Sequence, residues 1–497
     1  MKLKKIALIA GPVLSILLLV FFDLNPGHPE VTRTAAVALL MAVWWMTEEI
    51  PLAATALLPI ILFPALGIMN GATVSPIYFN YIIFLFIGGF VVALAMQRWN
   101  LHKRIALRLL LMFGVHPKGI LLGFMVTTAF LSMWISNTAT TMMMLPIVLA
   151  IIFSLEESVG EKALKKYGIG VLLGVAYSAS IGGIATLIGT PPNLSFIRIL
   201  QINFPNAPEI TFANWMFFAL PISIVLLLLV WFFLSLIFCP KGDVFKFNSD
   251  ILKDQYKKLG PVSFEEKVVL IDFILLAVLW IFRADIQIGG FTIRGWSNLF
   301  PNPDFFNDGT VAIAMATILF LIPSKQKTQV MDWDTAAKLP WGIVLLFGGG
   351  FALATGFKES GLSLWIGSQL QVLSSLHSIV IVIGICLISM FLTELTSNTA
   401  TAEMILPVVA GLAFILKLNP LLLMIPATLS CSFAFMLPVA TPPNAIVFGS
   451  GRLHVSDMAK TGIVINFVGI ILITCAVYFL GKVVFGIDIA QFPSWAG

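Results

Sequence analysis

Ser136-Asn-Thr-Ala-Thr-Thr-Met-Met-Met-Leu-Pro146 recurs as Ser397-Asn-Thr-Ala-Thr-Ala-Glu-Met-Ile-Leu-Pro407, identical at eight of eleven positions. Two further blocks repeat around it in the same order. Leu85-Phe-Ile-Gly-Gly-Phe90 precedes the first copy and Leu346-Phe-Gly-Gly-Gly-Phe351 the second; 48 residues separate Gly89 from Asn137, and again 48 separate Gly350 from Asn398. Thr190-Pro-Pro-Asn193 follows the first copy and Thr441-Pro-Pro-Asn444 the second. Three matching blocks in one order mark an internal duplication.

The duplicated segments sit in a chain of 497 residues that is 59% hydrophobic and only 11% charged, with a mean hydropathy of +1.01. A soluble domain carries roughly 25% charged residues, so the bilayer is the solvent that absorbs this much apolar surface. In it, only helices and closed barrels satisfy the backbone. The apolar runs are long and lack the alternation of barrel strands. The expected fold class is therefore an all-α polytopic membrane protein. Cys239, Cys386, Cys431 and Cys475 form no CxxC pair, and the five histidines show no ligand spacing, so no cofactor and no metal cluster is expected. No nucleophile signature and no nucleotide-binding loop occurs, which argues against an enzyme and against a primary pump. The net charge of +5 is modest and calls for no nucleic-acid partner.

A span needs about 20 apolar residues. Spans are expected near 6–22, 31–47, 52–66, 79–97, 167–202, 213–238, 265–283, 308–323, 340–357, 420–449 and 461–485. The first begins like a signal peptide but lacks a small-residue cleavage site, and is read as retained. Stretches 118–155 and 376–416 are too long for one crossing and polar at their midpoints, and read as re-entrant hairpins. Residues 99–113 read as a helix on the membrane surface or a cytoplasmic connector. With the N-terminus inside, 22 of the 29 Lys and Arg residues fall on the cytoplasmic side, and only Arg33, Arg198, Arg283, Arg294, Lys358, Lys417 and Lys482 fall outside or at outer helix ends. That asymmetry obeys the positive-inside rule. It places the protein in the plasma (inner) membrane with a cytoplasmic N-terminus and an external C-terminus.

Five crossings separate the two Ser-Asn-Thr segments, so the second copy is inverted relative to the first. Inverted repeats with broken helices meeting at the midplane are an architecture of secondary transporters. Ser, Asn and Thr offer hydroxyls and amides that bind a carboxylate or ligate a cation, and helix ends at such a tip leave N–H groups free for anions. Windows 119–161, 168–197, 359–416 and 418–451 contain no Lys or Arg. A dianion held there must be balanced by helix dipoles or by a mobile cation. Hard oxygen ligands suit sodium, and a dianion entering against 100 mV costs roughly 4.6 kcal/mol, which sodium symport offsets and dicarboxylate exchange avoids. Sulfate or another inorganic oxyanion is the alternative substrate, and an anion channel the rival class. Glu394 is read as a hydrogen-bond acceptor that holds its hairpin, Glu403 and Asp272 as groups near helix ends, and Glu48-Glu49 as a break between spans without a functional role.

At these motifs, and at Leu392-Thr-Glu-Leu-Thr-Ser-Asn-Thr399, the chain resembles the divalent anion:sodium symporter family of di- and tricarboxylate transporters and exchangers. The resemblance covers nearly the whole chain. It implies a homodimer whose scaffold holds a transport domain that moves as an elevator, carrying substrates of the succinate, malate, fumarate and 2-oxoglutarate type. On that reading 1–117 and 265–375 are scaffold, 118–238 and 376–497 are the two halves of the transport domain, and 239–264 is a cytoplasmic linker. Carried over by motif, Ser132, Ser136, Asn137 and Gly189 form one sodium site, and Thr393, Thr396, Asn398 and Ala440 the other. Substrate is expected at Asn137, Thr138, Thr190, Ser397, Asn398, Thr399, Thr441 and Pro442. Thr396 stands where a smaller residue often sits, which is harmless if it ligates through its carbonyl.

Overall fold

The computed structural model describes residues 2–114, 116–240, 250–288, 291–489 and 491–497. Part of the expected linker 239–264, namely 241–249, lies outside the described residues. Among the described residues the chain is all-helical apart from one short hairpin of β1 (Ile286–Ile288) and β2 (Phe291–Ile293). Seven helices among the described residues are long and apolar enough to cross a membrane, and five shorter apolar helices accompany them.

In the first part of the chain, α1 (Lys2–Phe21) packs on α2 (Pro29–Thr47). The stretch expected as the third span is interrupted, as α3 (Leu52–Thr55) and α4 (Leu58–Ala65), where Ala56 and Leu57 leave the helical ladder. After the single turn α5 (Gly71–Val74), Asn80 caps α6 (Tyr81–Arg98) by accepting from the Ile82 N–H. Next comes α7 (Leu101–Met112), which is amphipathic as expected, with Leu101, Leu107 and Leu110 buried and Lys103 and Arg108 exposed. Its Arg104 is buried, paired with Glu266 at 2.8 Å, and donates to the carbonyls of Leu259 and Gly260. A buried arginine needs that many acceptors. It ties α7 to the loop between α13 (Asp250–Lys258) and α14 (Phe264–Ile281).

The first expected hairpin is α8 (Pro117–Ser132) and α9 (Asn137–Val159). The Thr190-Pro-Pro segment does break its span, into α10 (Glu161–Gly183) and α11 (Pro191–Asn203), before the long α12 (Phe212–Phe238). The pattern then repeats. Helices α15 (Asp308–Leu321), α16 (Trp333–Ala336), α17 (Trp341–Glu359) and α18 (Leu362–Gln369) precede the second hairpin, α19 (Ser378–Leu395) and α20 (Asn398–Leu416). The second broken span is α21 (Pro420–Ser430) and α22 (Pro442–Phe448), followed by α23 (Val455–Phe485).

The two repeats are interlaced. Helix α9 of the first hairpin packs on α22 of the second broken span, and α20 of the second hairpin packs on α11 of the first. Arg452, beyond α22, forks onto both carboxylate oxygens of Glu156 in α9, at 2.6 and 2.9 Å. Within a membrane the helix–helix contacts rest on close packing of small residues. A Cβ on Gly88 of α6 would lie 2.5–2.7 Å from the backbone and Cβ of Ala312 in α15, and one on Gly182 of α10 would overlap the backbone of Ala129 in α8.

Gly88→Val should therefore lower the thermal stability of the detergent-purified protein, by about 2 kcal/mol if the overpacking is typical. Gly384→Ala, in α19 with open space around the added Cβ, should be neutral or mildly stabilising. Equal melting temperatures for the two variants would contradict the assigned α6–α15 contact.

Candidate functional site

Four helix N-termini and the loops before them enclose one cavity of about 530 Å³. Ser136, Asn137 and Thr138 reach it from the start of α9, and Ser397, Asn398 and Thr399 from the start of α20. The start of α11 contributes Thr190 and Pro191, and that of α22 contributes Thr441, Pro442 and Pro443. Proline in the first helical turn costs nothing, because the N–H it lacks has no intrahelical partner there. All eight residues expected to meet substrate thus line a single cavity. None of its lining residues is Lys, Arg or His.

Ser and Thr at helix starts usually cap the helix with their own hydroxyls. Here they do so unevenly. Ser397 and Thr190 make no side-chain cap, and the Ser136 and Thr441 caps are long, at 3.3 Å each. At α9 and α20 first-turn N–H groups are left without a helical partner beside the cavity, whereas α11 and α22 each open with two prolines and offer the Thr190 and Thr441 hydroxyls instead.

Behind each tip stands a second layer of oxygens. Asn137 fits its surroundings with its amide nitrogen 3.1 Å from the Ala179 carbonyl, 2.5 Å from Ser132 Oγ and 3.3 Å from the Gly189 carbonyl. With the amide turned round, its oxygen faces acceptors alone. A Cβ on Gly183 would fall 2.7 Å from the nearer polar atom of the Asn137 amide and 3.1 Å from the Gly189 carbonyl, so only glycine fits against this cluster. The second tip is built alike: the Thr393 hydroxyl lies 2.7 Å from Asn398 Oδ1 and 2.6 Å from the Cys431 carbonyl. Of the residues expected to hold sodium, Ser136, Asn137, Gly189, Asn398 and Ala440 reach the cavity wall. Ser132, Thr393 and Thr396 are buried behind it. The Thr396 hydroxyl is engaged by Thr401 and the Leu392 carbonyl, leaving its carbonyl as the free group.

The unwound segments between the helix halves are satisfied from within. Asn193 Nδ2 donates to the Thr186 carbonyl at 2.7 Å, and the Thr186 hydroxyl donates to the Met133 carbonyl at 2.5 Å. Asn444 Nδ2 donates to the carbonyls of Ala434 and Leu437, at 2.9 and 3.0 Å. The second, longer break also needs an acceptor, and Glu394 is that acceptor. Its carboxylate takes the N–H groups of Phe435, Met436 and Leu437 and the Asn466 amide, all within 2.9–3.1 Å. Glu394 holds the hairpin to the break, as read from the sequence.

Other acidic residues stand differently from expectation. Glu403 is not near a helix end but one turn inside α20, where it is buried and accepts from Ser195 Oγ of α11 at 2.5 Å. Gly350 of α17 lies so close to it that an added Cβ would overlap the carboxyl group. Asp272 is likewise buried inside α14, away from the cavity. Glu48 does break the chain between α2 and α3, but it also lines the cavity, together with Leu52, Phe86, Phe90, Ile343 and Leu346. The apolar wall carries no sequence motif. Its nearest signals are the Leu-Phe-x-Gly-Gly-Phe blocks, which hold Phe86, Phe90 and Leu346.

The model of the sodium:sulfate symporter transmembrane region matches residues 4–487. The sodium-dependent dicarboxylate transporter SdcS of Staphylococcus saprophyticus is 44% identical over 496 residues, covering 98% of this chain and 93% of the relative. Its counterpart in Staphylococcus aureus is 43% identical over 500 residues with the same coverage. Among solved structures, MtrF of Neisseria gonorrhoeae superposes with a TM-score of 0.56 at 15% identity, covering 95% of this chain and 98% of that one. The YdaH transporter of Alcanivorax borkumensis gives 0.56 at 11% identity, covering 90% and 99%. These two share the fold.

Glu394→Ala would strand three buried N–H groups, and should cost about 3 kcal/mol of stability, read as a lowered melting temperature in detergent. Glu394→Gln, which keeps one acceptor oxygen, should recover part of the loss. A melting temperature unchanged in both variants would show that the carboxylate does not hold the break.

Proposed function

Because the chain belongs to the sodium:sulfate symporter family, and is a multi-pass membrane transporter rather than an enzyme, we propose that it carries dicarboxylates across the membrane by secondary transport coupled to sodium. The single observation that carries the substrate class is the cavity at which four helix N-termini converge without a basic side chain. The longer α9, α11 and α20 each present about half a positive charge at the N-terminus, roughly one and a half together, so a dicarboxylate there needs only a little further charge from a co-transported cation. The seven-residue α22 begins with Pro442 and Pro443, which lack N–H groups, and contributes the Thr441 hydroxyl rather than a dipole. The hydroxyls and amides of Asn137, Thr138, Asn398 and Thr399, with Thr190, Ser397, Thr441 and the Pro442 turn, would bind the two carboxylates.

Sodium fits as the co-transported ion. The cluster around Asn137 gathers Ser132 Oγ and the Ala179 and Gly189 carbonyls, hard oxygen ligands of the kind that suit a small hard cation. Thr393, Asn398, the Thr396 carbonyl and Ala440 offer the equivalent set in the second repeat. The relatives named above are sodium-dependent dicarboxylate transporters, which favours symport over exchange.

The same reading includes an inverted repeat, eleven crossings, two re-entrant hairpins, an elevator movement and a homodimer. It also assigns a side. Glu48, Leu52, Ile343 and Leu346 line the cavity from span ends that the Lys and Arg distribution puts in the cytoplasm. The cavity therefore opens inward, with the N-terminus cytoplasmic.

Purified protein in liposomes tests the proposal. Labelled succinate or malate should accumulate when an inward sodium gradient is imposed. Uptake that needs internal dicarboxylate and ignores sodium would make the protein an exchanger, and uptake of sulfate without any carboxylate would overturn the substrate class. Asn137→Ala or Asn398→Ala, each losing a charge-assisted contact worth about 3 kcal/mol, should lower uptake about a hundredfold while the purified protein stays folded. Near-normal rates would remove those residues from the site.

A further inference from the structure

Among the described residues, Glu48 is the only acidic or basic one lining the cavity, and its charge has the same sign as the anion proposed to enter. It is exposed, and its carboxylate makes no hydrogen bond or ion pair with any described residue. Its backbone is held at φ 48° and ψ 37°, where it ends α2 by donating its N–H to the Trp44 carbonyl at 3.0 Å. Glycine or asparagine takes that left-handed position at lower cost. The chain accepts a backbone penalty and places an unpaired carboxylate in a cavity otherwise built for anions.

Volume does not explain which anions the cavity takes. About 530 Å³ lies within the range that holds drug-sized molecules, well above any C4 to C6 acid. Charge can discriminate where size does not. A dianion is matched by the helix ends together with a co-transported cation, whereas a third negative charge finds only the field of Glu48. Between unit charges about 10 Å apart near a protein surface, that field changes binding about tenfold.

We propose that Glu48 is a charge filter, which admits dicarboxylates and disfavours tricarboxylate trianions of similar size. The inference rests on the dicarboxylate reading above, and names the residue that sets the substrate class within it.

The test is competition between tricarballylate and unlabelled succinate for labelled succinate uptake in liposomes, at a pH where both acids are fully ionised. In the unsubstituted protein tricarballylate should compete weakly. Glu48→Gln and Glu48→Asn should raise its potency relative to succinate about tenfold, and Glu48→Asp should keep the original ratio. Asparagine suits the left-handed backbone, so Glu48→Asn separates the charge from the fold. The same ratio can be read without transport, from ligand-induced thermal stabilisation of the purified variants. An unchanged ratio in Glu48→Gln and Glu48→Asn, with succinate still bound, overturns the filter alone. So does a weakened sodium dependence with the ratio unchanged, which would make Glu48 a cation ligand. Absence of any dicarboxylate uptake by the unsubstituted protein overturns the dicarboxylate reading, and the filter with it.

Discussion

Backbone groups deprived of water must find partners inside the protein, and this requirement governs the structure around the cavity. Two helices are unwound where they meet the polar tips, and each unwound stretch exposes carbonyls and amides that no helix ladder satisfies. Asn193 and Asn444 supply donors at equivalent places. The repeats then part company. The first break is met by the Thr186 hydroxyl, which accepts from the Gly189 N–H, and by the Trp215 indole on the Ile184 carbonyl, while the second draws on a carboxylate with two oxygens and several lone pairs. Duplication preserved the arrangement, and the details were solved separately.

The same economy of partners sets the electrostatics. A basic residue at the cavity would hold an anion firmly but would bring its own charge into the membrane. Helix ends supply a partial charge that is already compensated along the helix, so they can face a cavity that is sometimes empty without needing a counter-ion. The oxygens behind the tips are those of the proposed sodium sites. Buried ion pairs are kept away from the cavity, at Arg104–Glu266 and at Arg283–Asp308, the second extended outward by the exposed Glu209. There they fix loops.

Much of this was legible in the sequence because it depends on local chemistry. The Ser-Asn-Thr and Thr-Pro-Pro-Asn segments carry their own signals of helix start and helix break, and their repetition exposed the pairing. The two Asn tips, the helix breaks and the acceptor role of Glu394 follow from residues within a few positions of one another. What the sequence concealed is the opposite wall. Leu52, Ile343 and Leu346 are ordinary apolar residues until the fold sets them against the tips. Glu48 looked like punctuation before Pro51, since a break between helices and a cavity-facing carboxylate leave the same letters. Glu403 and Asp272 were misplaced because hydropathy shows where charge is unwelcome, not which carboxyl a neighbour such as Ser195 will accommodate.

The interlacing of α9 with α22 and of α11 with α20 has a bearing on how the protein is made. A chain entering the membrane from its N-terminus completes α9 and α11 long before their partners exist. Until residues up to Phe448 have been inserted, the first half presents an unfinished polar face, which lipid cannot cover and another stretch of protein must. Assembly of the cavity is thus a late event in biogenesis. A truncation anywhere before α22 would leave an exposed half-site for quality-control proteases to recognise.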